Sequence, residues 1–161
     1  MFIKLLNKTI AGFIVGIFSI LVGCVVWQVI SRYILGAPSI ITDEIARFLF
    51  MWVGLIGAAY ATGLKQHLAI DLLLTKQQGK QKICLQLFIL TIMIVFSASV
   101  LFYSGIHLVK DTYLSGQVSP SLGIRMGLVY LCLPISGAIM LIYLIVDMRQ
   151  NIHRLITFEE N

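Results

Sequence analysis

Four long apolar stretches hold none of this chain's acidic or basic residues, and that separation constrains the fold more than any other feature. They run over Ile10–Ile30, Phe48–Leu64, Ile83–Val109 and Met126–Val146, while all 12 Lys and Arg and all 7 Asp and Glu lie outside them. A helix needs about 20 apolar residues to cross the hydrocarbon core of a bilayer. Within such a core only helices and closed barrels satisfy their own backbone hydrogen bonds. Stretches this long and continuous suit helices. The expected fold is therefore all-α, an integral membrane protein with four transmembrane helices. With their interfacial ends the spans cover about 10–35, 43–64, 83–109 and 126–147. Spans without ionisable groups are poorly equipped to carry an ion or polar solute unaided, since such pathways use charges inside the membrane.

Composition agrees. The chain is 59% hydrophobic and 12% charged over 161 residues, with a mean hydropathy of +0.96, far from the balance of a soluble domain. Four spans consume most of the length, so residues 1–161 are read as a single membrane domain. The net charge of +5 raises nucleic acid as a partner, but the basic residues sit at span ends, where membrane topology accounts for them. Lys4 and Lys8 before the first apolar run imitate a signal peptide. The run is too long for one, and no small-x-small cleavage pattern closes it. Cys24, Cys84 and Cys132 form no CxxC pair and read as small apolar side chains rather than redox or metal groups.

Basic residues orient the spans. Lys4, Lys8, Lys65, Lys76, Lys80, Lys82, Arg149 and Arg154 flank one side, against Arg32, Arg47, Lys110 and Arg125 on the other. The excess predicts both termini and the middle loop in the cytoplasm. That middle loop, Lys65–Lys82, carries Leu68–Leu74 followed by a Lys/Gln stretch, and a short amphipathic helix along the surface is the natural reading. The largest opposite loop is expected over Tyr103–Arg125.

Several local signals stand out. Gly12-x-x-x-Gly16 in the first span and Gly54, Gly57, Ala58 and Ala61 in the second form small-residue faces that allow close helix approach. Gly36-Ala37-Pro38 breaks the first helix. Thr42 is the expected cap of the second helix, with Asp43 and Glu44 in its first turn, where the helix dipole favours negative charge. Ser119-Pro120 resembles a helix start. Pro134 should bend the fourth span or remove one of its hydrogen bonds.

Asp43-Glu44-x-x-Arg47 is the strongest constellation. Both acids can reach the guanidinium at helical spacings of three and four. Locally this is a helix start with an ion pair; the alternative is that Arg47, opposed by its own helix dipole, reaches a group on another chain. His67 and Asp71 are likewise four apart, without the further ligands a metal would require. No two histidines share a depth suited to haem ligation. No phosphate loop, nucleophile elbow or zincin motif occurs, so neither a cofactor nor an enzymatic activity is expected.

An ordered series now links these signals: Arg32-Tyr33-Ile34-Leu35-Gly36, Asp43-Glu44-Ile45-Ala46-Arg47, Trp52, Gly57-Ala58-Ala59-Tyr60-Ala61 and His67-Leu68-Ala69-Ile70-Asp71. Ser121-Leu122-Gly123 and Tyr130-Leu131-Cys132-Leu133-Pro134 extend it. Across about residues 20–140 the chain resembles the small permease subunit of tripartite ATP-independent periplasmic (TRAP) transporters. Where that family often has a tryptophan before the acidic pair, this chain has Ile41 and Thr42. The resemblance implies a multi-pass protein of the bacterial inner membrane that acts as a scaffold. Its implied partners are a large permease subunit, which carries the substrate and sodium sites and moves as an elevator, a periplasmic substrate-binding protein, and the lipid bilayer. It implies uptake of an organic acid such as a dicarboxylate or sugar acid. Asp43, Glu44, Arg47, Trp52, Gly57, Ala58 and Asp71 become subunit-interface candidates. Lys110, Asp111 and Arg125, with the segment Gly36–Asp43, become periplasmic docking candidates. Three rivals stand beside it: a small standalone exporter, the membrane anchor of a respiratory complex, and a quinone-linked thiol oxidase, which the cysteine pattern removes. The first usually needs a carboxylate in its first span, and the second is expected to offer haem-ligating histidines or a quinone pocket.

Overall fold

A computed structural model describes residues 2–64 and 80–159. The described residues fold into helices: α1 (Phe2–Tyr33), α2 (Ile40–Gly63), α3 (Lys80–Phe96), α4 (Ser104–Leu114), α5 (Met126–Val129) and α6 (Cys132–Glu159), with a π-helical segment, Ser97–Tyr103, joining α3 to α4. Four of the resulting rods are long and apolar enough to span a bilayer: Leu5–Tyr33, Ile40–Gly63, Ile83–Leu114 and Met126–His153. The expected all-α, four-span membrane fold is therefore present. Residues 65–79 of the middle loop, with its expected surface helix, His67 and Asp71, lie outside the described residues, while 80–82 already belong to α3.

The helices stand in a row rather than a closed bundle. α1 packs on α2, α2 on α6, and α6 on the α3–π–α4 rod. Burial follows this order. In its most apolar stretch 39% of the α6 span is buried, against 11% for α1 and for the third span. Large apolar side chains such as Phe13, Phe18, Phe50, Phe88 and Val95 are exposed, the inverse of a soluble protein and what lipid requires.

α1 meets α2 along one face. Asn7, Ile10, Ile14, Ile17, Leu21, Cys24, Gln28 and Ser31 are buried or half-buried and alternate in steps of three and four, the spacing of a left-handed helix pair. Ile10, Ile56 and Tyr143 form the buried centre, wrapped by Leu6, Ile14, Trp52, Tyr60 and Ile139. At the same end as Asn7, Gly63 admits the Tyr143 ring. A Cβ there would lie 2.6 Å from the ring. The Tyr143 hydroxyl donates to Asn7 Oδ1, tying α6 to α1 across the end of α2.

The π segment presses directly on α6. Ser97 is fully buried and donates to the Gly137 carbonyl at 3.1 Å. A Cβ on Gly137 would stand 2.9 Å from both Leu101 Cβ and the Phe102 nitrogen. The wide turn disturbs the local ladder, and Ser104 compensates by directing both its N–H and its hydroxyl (2.9 Å) to the Ser99 carbonyl.

Four local expectations change. The second helix starts at Ile40 after Ser39, so Thr42 is not its cap; the Thr42 hydroxyl instead donates back to the Ser39 carbonyl at 3.1 Å. The third span runs on to Leu114, which places Lys110 and Asp111 on a helix rather than in a loop. Charges at a span end can snorkel without ending the helix, and termination waits for Gly116 at φ +67°. Pro134 does not bend a continuous rod. The break comes earlier, at Tyr130–Leu131, leaving Pro134 in the first turn of α6, where its missing N–H is harmless. The Leu133 and Ile135 N–H groups take up the Tyr130 and Leu131 carbonyls at 3.0 and 3.2 Å.

Ser119-Pro120 begins a single turn, not a helix. Its cap reading holds locally, because Ser119 Oγ accepts the Leu122 N–H at 3.2 Å. The Ser119 carbonyl then takes the Gly123 N–H at 3.0 Å, and Gly123, at φ +65°, turns the chain back. Val118 and Arg125 pair as an antiparallel bridge, so residues 117–126 form a small hairpin before α5.

Candidate functional site

The notable chemistry gathers at one end of the row, where α1 ends, α2 begins and the hairpin sits. Gly36, at φ +66°, reverses the chain after α1. The turn is held by the Ala37 N–H on the Ser31 carbonyl at 3.1 Å and by the Ser31 hydroxyl on the Ala37 carbonyl. Gln28 reaches from α1 to donate to the Thr42 carbonyl at 2.9 Å. This fixes the first turns of α2 and thereby the directions of Asp43, Glu44 and Arg47.

These three residues diverge instead of forming one cluster. Arg47 pairs with Asp43. The two side chains are 75% and 45% exposed, so the pair adds little to stability, less than about 1 kcal/mol. Glu44 does not join Arg47. It crosses to the hairpin, where its Oε2 accepts the Ser121 N–H at 3.0 Å. The correction has a simple cause. The single turn after Ser119 aims the Ser121 N–H at Glu44, which accepts it in a charge-assisted hydrogen bond. Glu44 thus fastens the hairpin to α2 and leaves Arg47 facing outward.

Below Arg47, the outward side of α2 is smooth. Gly54 and Ala58 are exposed, Gly57 and Ala61 half-exposed, and no atom lies within 4 Å of a Cβ built at Gly54 or Gly57. The outward side of α1 repeats the pattern with Thr9, Gly12, Gly16, Ser19 and Gly23, all exposed, again with open space beside each glycine. Contrast Gly63, Gly105, Gly127 and Gly137, each in contact with a neighbouring helix of the chain. The glycines therefore divide into those used to close this fold and those left open on its surface.

The remaining candidates separate. Trp52 is engaged inside the chain: its indole N–H donates to the Val129 carbonyl at 3.1 Å and its ring meets Phe13 edge-on at 6.3 Å. Arg125 stacks over the Tyr113 ring at 4.7 Å. Lys110 and Asp111 are exposed on α4. A mixed polar and apolar cleft of about 380 Å³ opens between the end of α1 and the start of α2, lined by residues that include Gln28, Arg32, Tyr33, Ser39 and Asp43. Among the described residues no three His, Cys, Asp or Glu side chains converge as a metal site would need.

The contact between Glu44 and Ser121 is not among the sequence expectations, and neither are Thr9, Ser19 and Gly23. The second set carried a readable signal, the three–four spacing of small residues through α1. The Glu44–Ser121 contact carried none, because its two residues are 77 positions apart in sequence.

Comparison with known proteins agrees with this arrangement. Over residues 21–154 the chain matches the family model for tripartite ATP-independent periplasmic transporters, DctQ component. It is 26% identical over 137 residues to the sialic acid TRAP transporter small permease protein SiaQ of Vibrio cholerae, covering 85% of this chain and 78% of that one. It is 25% identical to the ectoine TRAP transporter small permease protein TeaB of Halomonas elongata, covering 68% and 56%. A third relative is the isethionate TRAP transporter permease protein DctMQ of Oleidesulfovibrio alaskensis, 25% identical over 77% of this chain but only 20% of that protein. The four-span fold, the ordered motifs from Arg32 to Pro134 and a family match across most of the length meet in one conclusion: the chain belongs to the DctQ component family, the small permease subunits of TRAP transporters.

Proposed function

We propose that this chain is the fixed membrane scaffold of a sodium-coupled transporter that imports an organic acid, a dicarboxylate or sugar acid, across a bacterial inner membrane. Its partners are a large permease subunit, which binds and moves the substrate, and a periplasmic substrate-binding protein. The observation that carries the reading is the division of the glycines. Gly63, Gly105, Gly127 and Gly137 lock the helices into a plate, while Gly12, Gly16, Gly54 and Gly57 face open space. Open small-residue faces in a bilayer are seats for another helix. A plate whose spans contain few charges supplies a rigid wall rather than a solute path.

Two further considerations support the assembly. In the DctMQ relative the segment similar to this chain is a fifth of a longer permease protein, consistent with a large subunit packing beside it. The excess of basic residues near the termini and middle loop favours cytoplasmic termini. The Glu44-tethered hairpin and the Gly36–Asp43 turn then face the periplasm and form a surface for the binding protein. In this reading Arg47, Gly57 and Ala58 face the large subunit, and Arg125, with Lys110 and Asp111 nearby on α4, borders the docking surface.

Co-purification tests the scaffold role. Arg47→Glu or Ala58→Trp should sharply lower the yield of the two-subunit complex while the small subunit still inserts. An unchanged yield for both variants would count against the proposed face. Uptake reconstituted with the large permease and binding protein should require this chain.

A further inference from the structure

The outer edge of the row carries a groove that the scaffold reading does not use. α4 touches the last span at two close points. Gly105 lies against Pro134, where a Cβ would stand 3.1 Å from the proline ring, and Gly127 lies against Tyr113, where a Cβ would stand 3.0 Å from Tyr113 Cβ. Between these points the chain breaks at Tyr130–Leu131, and the helices cannot stay in contact through the elbow. The space left is about 390 Å³, lined by Ile106, Val109, Lys110, Tyr113, Leu131 and Pro134, with Leu114 at its end. From Ile106 to Leu114 the groove follows about 12 Å of helix, close to the roughly 15 Å depth of one leaflet's hydrocarbon.

Its lining is apolar throughout. Lys110 borders it midway between Ile106 and Leu114, and Arg125, outside the lining, covers the ring of Tyr113, itself a wall of the groove. Among the described residues neither cation forms an ion pair with a carboxylate. The nearest acid in sequence, Asp111, is one position round the helix and outside the lining. An apolar groove flanked by two cations matches an acyl chain attached to an anionic headgroup.

We infer that this elbow binds one anionic phospholipid, with an acyl chain along Ile106, Val109, Leu131 and Pro134 and its phosphate held by Lys110 and Arg125. The site does not depend on the subunit partners proposed above. The test uses the full chain in nanodiscs containing equal phosphatidylglycerol and phosphatidylethanolamine, with retained lipid counted by native mass spectrometry. Phosphatidylglycerol should be retained about tenfold over phosphatidylethanolamine, the scale of a charge-assisted contact. Lys110→Gln with Arg125→Gln should abolish that preference, and Leu131→Trp, which fills the channel, should lower retention of both lipids. Equal retention by the unaltered chain overturns the site without reliance on any variant. So does a preference that survives the double substitution. Release of the lipid when the large permease is added would show the groove to be a seat for protein, and would overturn the site as well.

Discussion

Glu44 shows how one side chain can decide the shape of a surface 77 positions away. The hairpin has few resources of its own: a single capped turn, one β-bridge and Gly123 in the left-handed region. Its exposed N–H groups need an acceptor, and Glu44 supplies one from α2. Glu44→Gln keeps the size but weakens acceptance and introduces donors that face other donors. We expect faster hydrogen exchange at the Ser121 and Leu122 amides, with the four spans still protected. Glu44→Asp should recover less than full protection because it is one methylene short. Arg47 behaves differently. Its partner Asp43 is on the same helix and both are exposed, so Arg47→Ala should change the stability of the isolated chain by less than about 1 kcal/mol. A loss of complex yield in that variant would then report on a contact between chains. A thermal-unfolding series on the purified subunit separates the two effects.

At the level of elements, the glycine positions divide into two testable classes. Gly137 has no room for a methyl group, with a Cβ 2.9 Å from Leu101 Cβ and the Phe102 nitrogen. Gly137→Ala must push the π segment from α6 and should cost about 1–3 kcal/mol, the usual range for overpacking, read as a lower unfolding midpoint. Gly54→Ala meets nothing and should leave the midpoint unchanged or slightly raised, since alanine favours helix. The sequence made the helices themselves legible because apolar length is a local property. It also exposed the small-residue faces through their spacing, and the Asp43–Arg47 pair through its four-residue separation. The row arrangement, the π turn and the Glu44 tether were not legible. Each depends on which distant helix lies opposite, and no local pattern encodes that choice. Ser119-Pro120 makes the boundary visible: its cap chemistry was readable, but the end of the turn at Gly123 depended on the hairpin around it.

For the molecule as a whole, the row gives two broad faces and two edges, and its proposed orientation determines which end a soluble partner can meet. Two cysteine probes decide this. Val118 is 56% exposed at the hairpin, and Leu5 is 67% exposed near the start of α1, at the opposite end of the row. In a chain whose native cysteines are replaced by serine or alanine, Val118→Cys should react in intact spheroplasts with a thiol reagent that cannot cross the membrane. Leu5→Cys should react only after the membrane is opened. The reverse pattern would place the hairpin in the cytoplasm and remove the proposed docking surface, while leaving the helix packing and the glycine classes untouched. With the expected pattern, the same Val118→Cys probe serves a second purpose: addition of the periplasmic binding protein should slow its labelling. Glu44→Gln should reduce that protection without changing which side of the membrane the probe is on, because the tether orders the hairpin while the basic residues orient the spans.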